Sequence, residues 1–165
     1  MGDPGPLGSL TIEDGRATLT FVRHLPHRAT EVWAAITEPA RRAAWFGQST
    51  VQASAGGIIE TDPDDPPVPA SMKHMRGTIL VWDPPHILEH TWQQAIVEPS
   101  VVRYELTPAD GVTILRFTHR DLGVQNARGF APGTHAYLDR LAAHLGAQEL
   151  PRWQARYDEV RELYR

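Results

Sequence analysis

Three histidines, His90, His119 and His135, carry most of the chemical potential of this sequence. Each sits in or beside an apolar-patterned segment. Imidazole titrates near neutrality, so each could act as a general base. Three neutral imidazoles could also ligate zinc if they converged within bonding reach. Their spacing contains nothing like HExxH, however, and no carboxylate stands in a partner position. Asp121 and Glu89 are the nearest acids. Strand alternation turns Glu89 to an outer face and Asp121 opens a loop, so they make no acid pair. The sequence also lacks a GxSxG nucleophile elbow and the GxGxxG and GxxxxGK[ST] phosphate cradles. The histidines are therefore expected in a pocket wall or core. No catalytic residue, metal or cofactor is assigned. Arg76 and Arg103 could anchor an anion, but the strand register described below points Arg103 outward.

Bulk composition narrows the classes further. The chain of 165 residues suits one domain and is large enough to bury a core without staples. It contains no cysteine, which removes disulfides, thiol nucleophiles and thiolate metal sites together and suits a cytoplasmic location. The net charge is −4 with no basic stripe, so nucleic acid is not an expected partner. No apolar run is long enough to span a membrane. The N-terminus has neither the basic nor the apolar region of a signal peptide. Residues 5–9 coincide with a common protease-cleavage remnant, so residues 1–9 carry none of the functional argument.

The elements that would position the histidines follow from periodicity. In Arg16–His24 alternation puts Ala17, Leu19 and Phe21 on one face of a strand. Thr30 reads as the N-cap of a short helix over 30–37, and Pro39 opens a second over 39–45. Short strands are expected near 49–53 and 57–61. The proline-rich acidic run 62–69 reads as an exposed loop. Strands at 76–82 and 86–92 precede a hairpin of 101–106 with 112–119. Pairing Glu105 with Arg116 sends Val102, Tyr104, Leu106, Leu115, Phe117 and His119 to one face of that hairpin. Arg103, Glu105, Arg116 and Thr118 go to the other. A loop containing Gly123, Gly129, Pro132 and Gly133 is then expected before a helix over 134–145, with Thr134 as N-cap and Gly146 as C-cap. Residues 151–165 read as a more polar helix that packs on its own domain or on a partner. Contiguous strands followed by a long helix make an α+β fold with an antiparallel sheet.

This order of elements resembles the helix-grip fold of START-like (SRPBCC) domains. Five motifs resemble the AHSA1-like family, named for the activator of Hsp90 ATPase. They are Phe21–Pro26 followed by Glu31–Thr37, then Trp45-Phe46-Gly47, then Pro85–Trp92, then Gly111–His119, and last Gly133–Leu141. The resemblance covers residues 16–146. It implies one START-like domain there, an N-terminal extension at 1–15 and a C-terminal helical tail at 147–165. The family usually has Trp after the glycine where this chain has Thr134. That Trp helps close the pocket, so a wider or rebuilt pocket is expected.

Members of this fold bind lipids, hormones, polyketides or chaperones, and some cyclise or hydrolyse. The resemblance therefore implies binding of a hydrophobic or aromatic small molecule in an apolar pocket between sheet and long helix. Leu88, His90, Trp92, Tyr104, Leu106, Phe117 and His119 would line it from the sheet. Trp45 and Phe46 would stand at one mouth, and His135 and Leu138 would face it from the helix. The alternatives are a cyclase- or hydrolase-like enzyme using the pocket histidines, an Hsp90 co-chaperone-like role, and a homodimer formed through the tail bearing Trp153, Tyr157 and Leu163.

Overall fold

The computed structural model describes residues 5–164. Eight strands form one antiparallel sheet: β1 (Ser9–Glu13), β2 (Arg16–Leu25), β3 (Gly47–Val51), β4 (Ile58–Pro63), β5 (Met75–Asp83), β6 (Ile87–Trp92), β7 (Ser100–Ala109) and β8 (Val112–Gly123). Their spatial order is β1-β2-β8-β7-β6-β5-β4-β3. Helices α1 (Ala29–Thr37) and α2 (Pro39–Trp45) connect β2 to β3, and a single turn, α3 (Ala70–Lys73), precedes β5. The long helix α4 (Val124–Leu145) follows β8, and α5 (Trp153–Val160) ends in a 3₁₀ turn, Arg161–Tyr164. This is the helix-grip α+β architecture. Among the described residues no helix is long and apolar enough to cross a membrane.

The hairpin of β7 and β8 has the expected register, with Glu105 opposite Arg116, Tyr104 opposite Phe117 and Leu106 opposite Leu115. One alternation therefore sorts two strands at once. Val102, Tyr104, Leu106, Leu115, Phe117 and His119 are all buried. All but His119 join Leu19 and Phe21 of β2 and Leu138 and Leu141 of α4 in one core. Strand β5 closes tightly on β6 at Gly77, where a Cβ would strike the Thr91 carbonyl. Only glycine permits that approach.

Several local expectations are corrected. Helix α4 begins at Val124, ten residues before Thr134, and absorbs the glycines and Pro132 that had suggested a loop. Pro132 cannot donate a hydrogen bond and Gly129 is a poor helix former. Burial of Ala127, Ala131 and Gly133 outweighs both penalties. The helix N-terminus is also satisfied from outside, because the Glu98 carboxylate accepts the Gly123 N–H at 2.8 Å and an Asn126 side-chain N–H at 3.0 Å. These bonds hold the Glu98 carboxyl below its ordinary range. Gly146 is the C-cap, but the left-handed residue is its neighbour Ala147, at φ 51°. The N-cap of α1 is Arg28, so Thr30 lies inside that helix.

The acidic run also departs from expectation. Asp62 and Pro63 continue β4, and α3 was not anticipated. Asp65 is held rather than loose, since its N–H donates to the Tyr137 hydroxyl at 2.9 Å and its carbonyl accepts from that hydroxyl at 2.7 Å. At the two ends of the chain, β1 pairs with β2, and the Gly8 N–H donates to Tyr164 Oη at 2.8 Å. The tail docks on its own domain. Trp153 Nε1 donates to the Gly133 carbonyl at 3.1 Å, and Arg156 Nε donates to Asp139 at 2.6 Å.

Candidate functional site

A cavity of about 440 Å³ opens between the sheet, α4, the tail and the loop after β6. Trp45 and Phe46, stacked at the end of α2 with ring centres 5.3 Å apart, form one wall. Trp92 enters from β6, Tyr104 from β7, Phe117 and His119 from β8, and Leu138 from α4. The hairpin alternation explains why Tyr104, Phe117 and His119 share this face. Seven of the eleven residues expected at the site thus border the cavity.

The other four lie elsewhere. Leu88 and Leu106 are packed in the core away from the opening. His90 is 1% exposed, stacks behind Trp92 at 6.3 Å, and its Nδ1 bonds the Thr91 carbonyl at 2.8 Å. His135 on α4 does not border the cavity. Its Nδ1 meets Tyr164 Oη at 2.7 Å, its Nε2 lies 3.4 Å from Asp139, and its ring packs edge-on against Phe21. His135 lies three residues before Leu138, about 60° away around α4, so it meets Phe21 of β2 and Tyr164 of the tail while Leu138 borders the cavity. The three histidines do not converge. Among the described residues no group of three or more metal-ligating side chains could hold an ion.

Sequence reasoning missed four aromatic wall residues: Phe130, Tyr137, Trp153 and Tyr157. Phe130 was hidden by reading its segment as a loop. Trp153 and Tyr157 sit four residues apart on α5 and stack at 4.9 Å. Their spacing marked an apolar face, but nothing in it named the surface they cover. The Trp153 ring lies so close to Gly133 that a Cβ there would be 3.1 Å away. The tail therefore brings an aromatic ring to the wall next to Thr134.

Apolar and aromatic surface dominates the wall, although Asp65, Lys73, Gln94, Asn126, Thr134 and Gln154 also border it. His119 Nε2 shares a hydrogen bond with Ser100 Oγ at 2.8 Å, while Trp92 and Phe130 flank its ring at 5.1 and 5.3 Å. Burial, with a smaller contribution from His90, lowers its pKa to about 3. Burial likewise lowers His90 to about 4, against the opposing hydrogen bond to Thr91. Both rings are neutral at pH 7. Burial raises the pKa of Tyr104, so its phenol is protonated. At the outer face, Glu89 is clamped by Arg103 at 3.1 Å and by Arg120 at 2.5 Å, turned away from the cavity as its alternation required. The site can therefore offer a mainly apolar, aromatic enclosure with neutral hydrogen-bonding groups and one charge of each sign, Lys73 and Asp65.

Residues 26–146 match the model of the family described as activator of Hsp90 ATPase homolog 1-like protein. No curated protein sequence matches the chain. Among solved structures, CalU16 from Micromonospora echinospora is similar at 20% identity with a TM-score of 0.75, covering 96% of this chain and 94% of that one. A protein from Bordetella parapertussis is similar at 24% identity and a TM-score of 0.71, covering 96% and 90%. DynU16, described as a protein in the dynemicin biosynthetic locus, is similar at 22% identity and a TM-score of 0.68, covering 81% of this chain and 48% of that one. At these identities the likeness is one of fold.

Proposed function

The chain belongs to the activator of Hsp90 ATPase homolog 1-like family, and on that premise we propose that it binds an aromatic or otherwise hydrophobic small molecule in the cavity between the sheet, α4 and the tail. The observation that carries this reading is the cavity of about 440 Å³, walled by aromatic rings from α2, β6, β7, β8, α4 and α5. Small-molecule sites commonly fall within roughly 300–1,000 Å³ and combine an apolar lining with a few polar groups. Six separate elements each contribute a ring to one space. A core built only for stability would fill that space rather than surround it. The position of DynU16 in a biosynthetic locus is consistent with a small-molecule ligand for this architecture.

The test uses N-phenyl-1-naphthylamine, a neutral aromatic fluorophore. Saturable binding with quenching of protein fluorescence is expected, since Trp45, Trp92 and Trp153 all border the cavity. Absence of saturable binding up to the probe's solubility limit would remove the proposal. Trp153→Ala deletes one wall and should weaken binding by about tenfold, the loss of roughly one aromatic contact. Trp153→Phe should retain most of the affinity. A circular-dichroism melt separates lost binding from lost folding.

A further inference from the structure

Arg42 is a cation with no counterion among the described residues, placed directly behind the cavity wall. It sits on α2 and is 1% exposed. Its Nε donates to Ser49 Oγ at 3.0 Å, Nη1 to the Ile36 carbonyl at 2.8 Å and Nη2 to Thr61 Oγ1 at 2.8 Å. All three acceptors are neutral, and among the described residues no carboxylate forms an ion pair with it. Buried charges are ordinarily paired. Burial lowers its pKa, yet guanidinium is so strong a base that it stays charged.

The charge of Arg42 is delivered to the cavity through two wall residues. Its guanidinium carbon lies 5.3 Å from the centre of the Phe46 ring. It also acts on the Tyr104 hydroxyl, where it opposes the upward push of burial on that group. Arginine only donates, so this interaction leaves the phenolic proton of Tyr104 available. A second buried polar group in the wall is His119, which uses Nε2 on Ser100. Its Nδ1 has no hydrogen-bond partner among the described residues. With the Ser100 hydroxyl donating to Nε2, the neutral ring carries its proton on Nδ1. Tyr104 pairs with Phe117 and His119 with Val102, so the two donors are diagonal neighbours on one face of the hairpin. Lys73 and Asp65 stand at the mouth with opposite charges, which leaves Arg42 as the uncompensated one.

We propose that the cavity selects an aromatic ligand bearing an anionic oxygen, a carboxylate, phenolate or enolate, which accepts hydrogen bonds from Tyr104 and His119 against the charge of Arg42. This rests on the small-molecule reading above and specifies its ligand class. Hydrogen bonds to an ionised acceptor are about twice as strong as neutral ones, and an apolar enclosure strengthens them further.

The experiment compares 2-naphthoate with 2-acetylnaphthalene, a neutral molecule of nearly the same shape, by calorimetric titration at pH 7.5. The wild-type protein is expected to bind the carboxylate at least about tenfold more tightly. Tyr104→Phe should bring the two affinities to within about threefold, with His119→Gln as the second variant acting in the same direction. Equal affinities in the wild type, or tighter binding of the ketone, would overturn the inference while leaving small-molecule binding intact. A preference undiminished in both variants would also overturn it. Failure to bind either probe would remove both this inference and the function it rests on. The wild-type comparison stands whether or not a variant folds.

Discussion

Acidification from pH 7 to pH 4 is expected to remove on the order of 3 kcal/mol of stability for each of His90 and His119. Both are bases whose pKa falls on folding, from 6.5 to about 4 for His90 and to about 3 for His119, chiefly because burial penalises the charged ring. Between those values and 6.5 each is neutral in the folded chain and protonated in the unfolded one. The unfolded state therefore binds more protons, and stability declines as the pH falls through this window. It is fully present above about pH 6.5. The combined loss, about 6 kcal/mol, is comparable with the lower end of a typical domain's stability of about 5–15 kcal/mol. Carboxylates act later. Asp139 has a folded pKa of about 2, so its contribution fades only below the ordinary carboxylate range. Urea denaturation followed by tryptophan fluorescence at a series of pH values checks this. His119→Gln keeps a partner for Ser100 and should reduce the slope by roughly half. A flat stability between pH 7 and pH 5 would contradict the expectation.

Asp139→Ala is expected to destabilise the fold by about 3–5 kcal/mol. Asp139 receives Arg23 and Arg156 at 2.6 Å each and lies 3.4 Å from His135. Burial would raise its pKa, but hydrogen bonds from His135, Arg156 and Arg23 outweigh that effect. Arg23 is the vulnerable member. It sits on the inward face of β2, and its Nε and Nη2 are buried without partners. Removing the one carboxylate that Arg23 meets among the described residues leaves a buried, uncompensated cation. Arg156 would lose its tie as well, which loosens α5. Guanidinium denaturation measures the loss, and a value under about 1 kcal/mol would show that Arg23 has another outlet. Replacing Arg23 with Met in the Asp139→Leu background should recover most of the stability, since an apolar pair of similar volume avoids burying the charges.

The sheet was the most legible part of the molecule, because a two-residue period carries its own check. In the β7–β8 hairpin only one register separates apolar from polar side chains on both strands, and that register is the one found. The start of α4 was illegible for the opposite reason. Gly129, Pro132 and Gly133 are local signals against helix, while the packing that overrides them comes from distant strands and from Glu98. Individual side chains divided along the same line. Tyr104, Phe117 and His119 were recoverable from alternation. Arg23 and Asp139 were not, because Arg23 follows the core parity of β2 yet is charged, and Asp139 lies beside the apolar stripe of α4. Their meeting depends on helix placement, which no local period encodes. Trp153 and Tyr157 were visible as an apolar face, but the surface beneath them was set by the position of Gly133.

The wall built by the tail has an evolutionary consequence. The segment shared with the family ends at Gly146, while Trp153 and Tyr157 border the cavity from beyond it. Among the described residues the tail is anchored by the Arg140 bond to the Pro151 carbonyl, the Trp153 bond to Gly133, the Arg156 bond to Asp139 and the Tyr164 bonds to Gly8 and His135. Substitutions between those anchors reshape the cavity without touching the sheet, so selectivity can drift while the scaffold stays fixed. The tail is in that sense an interchangeable part, and chimeras joining this scaffold to tails from relatives would carry their donors' preferences with them.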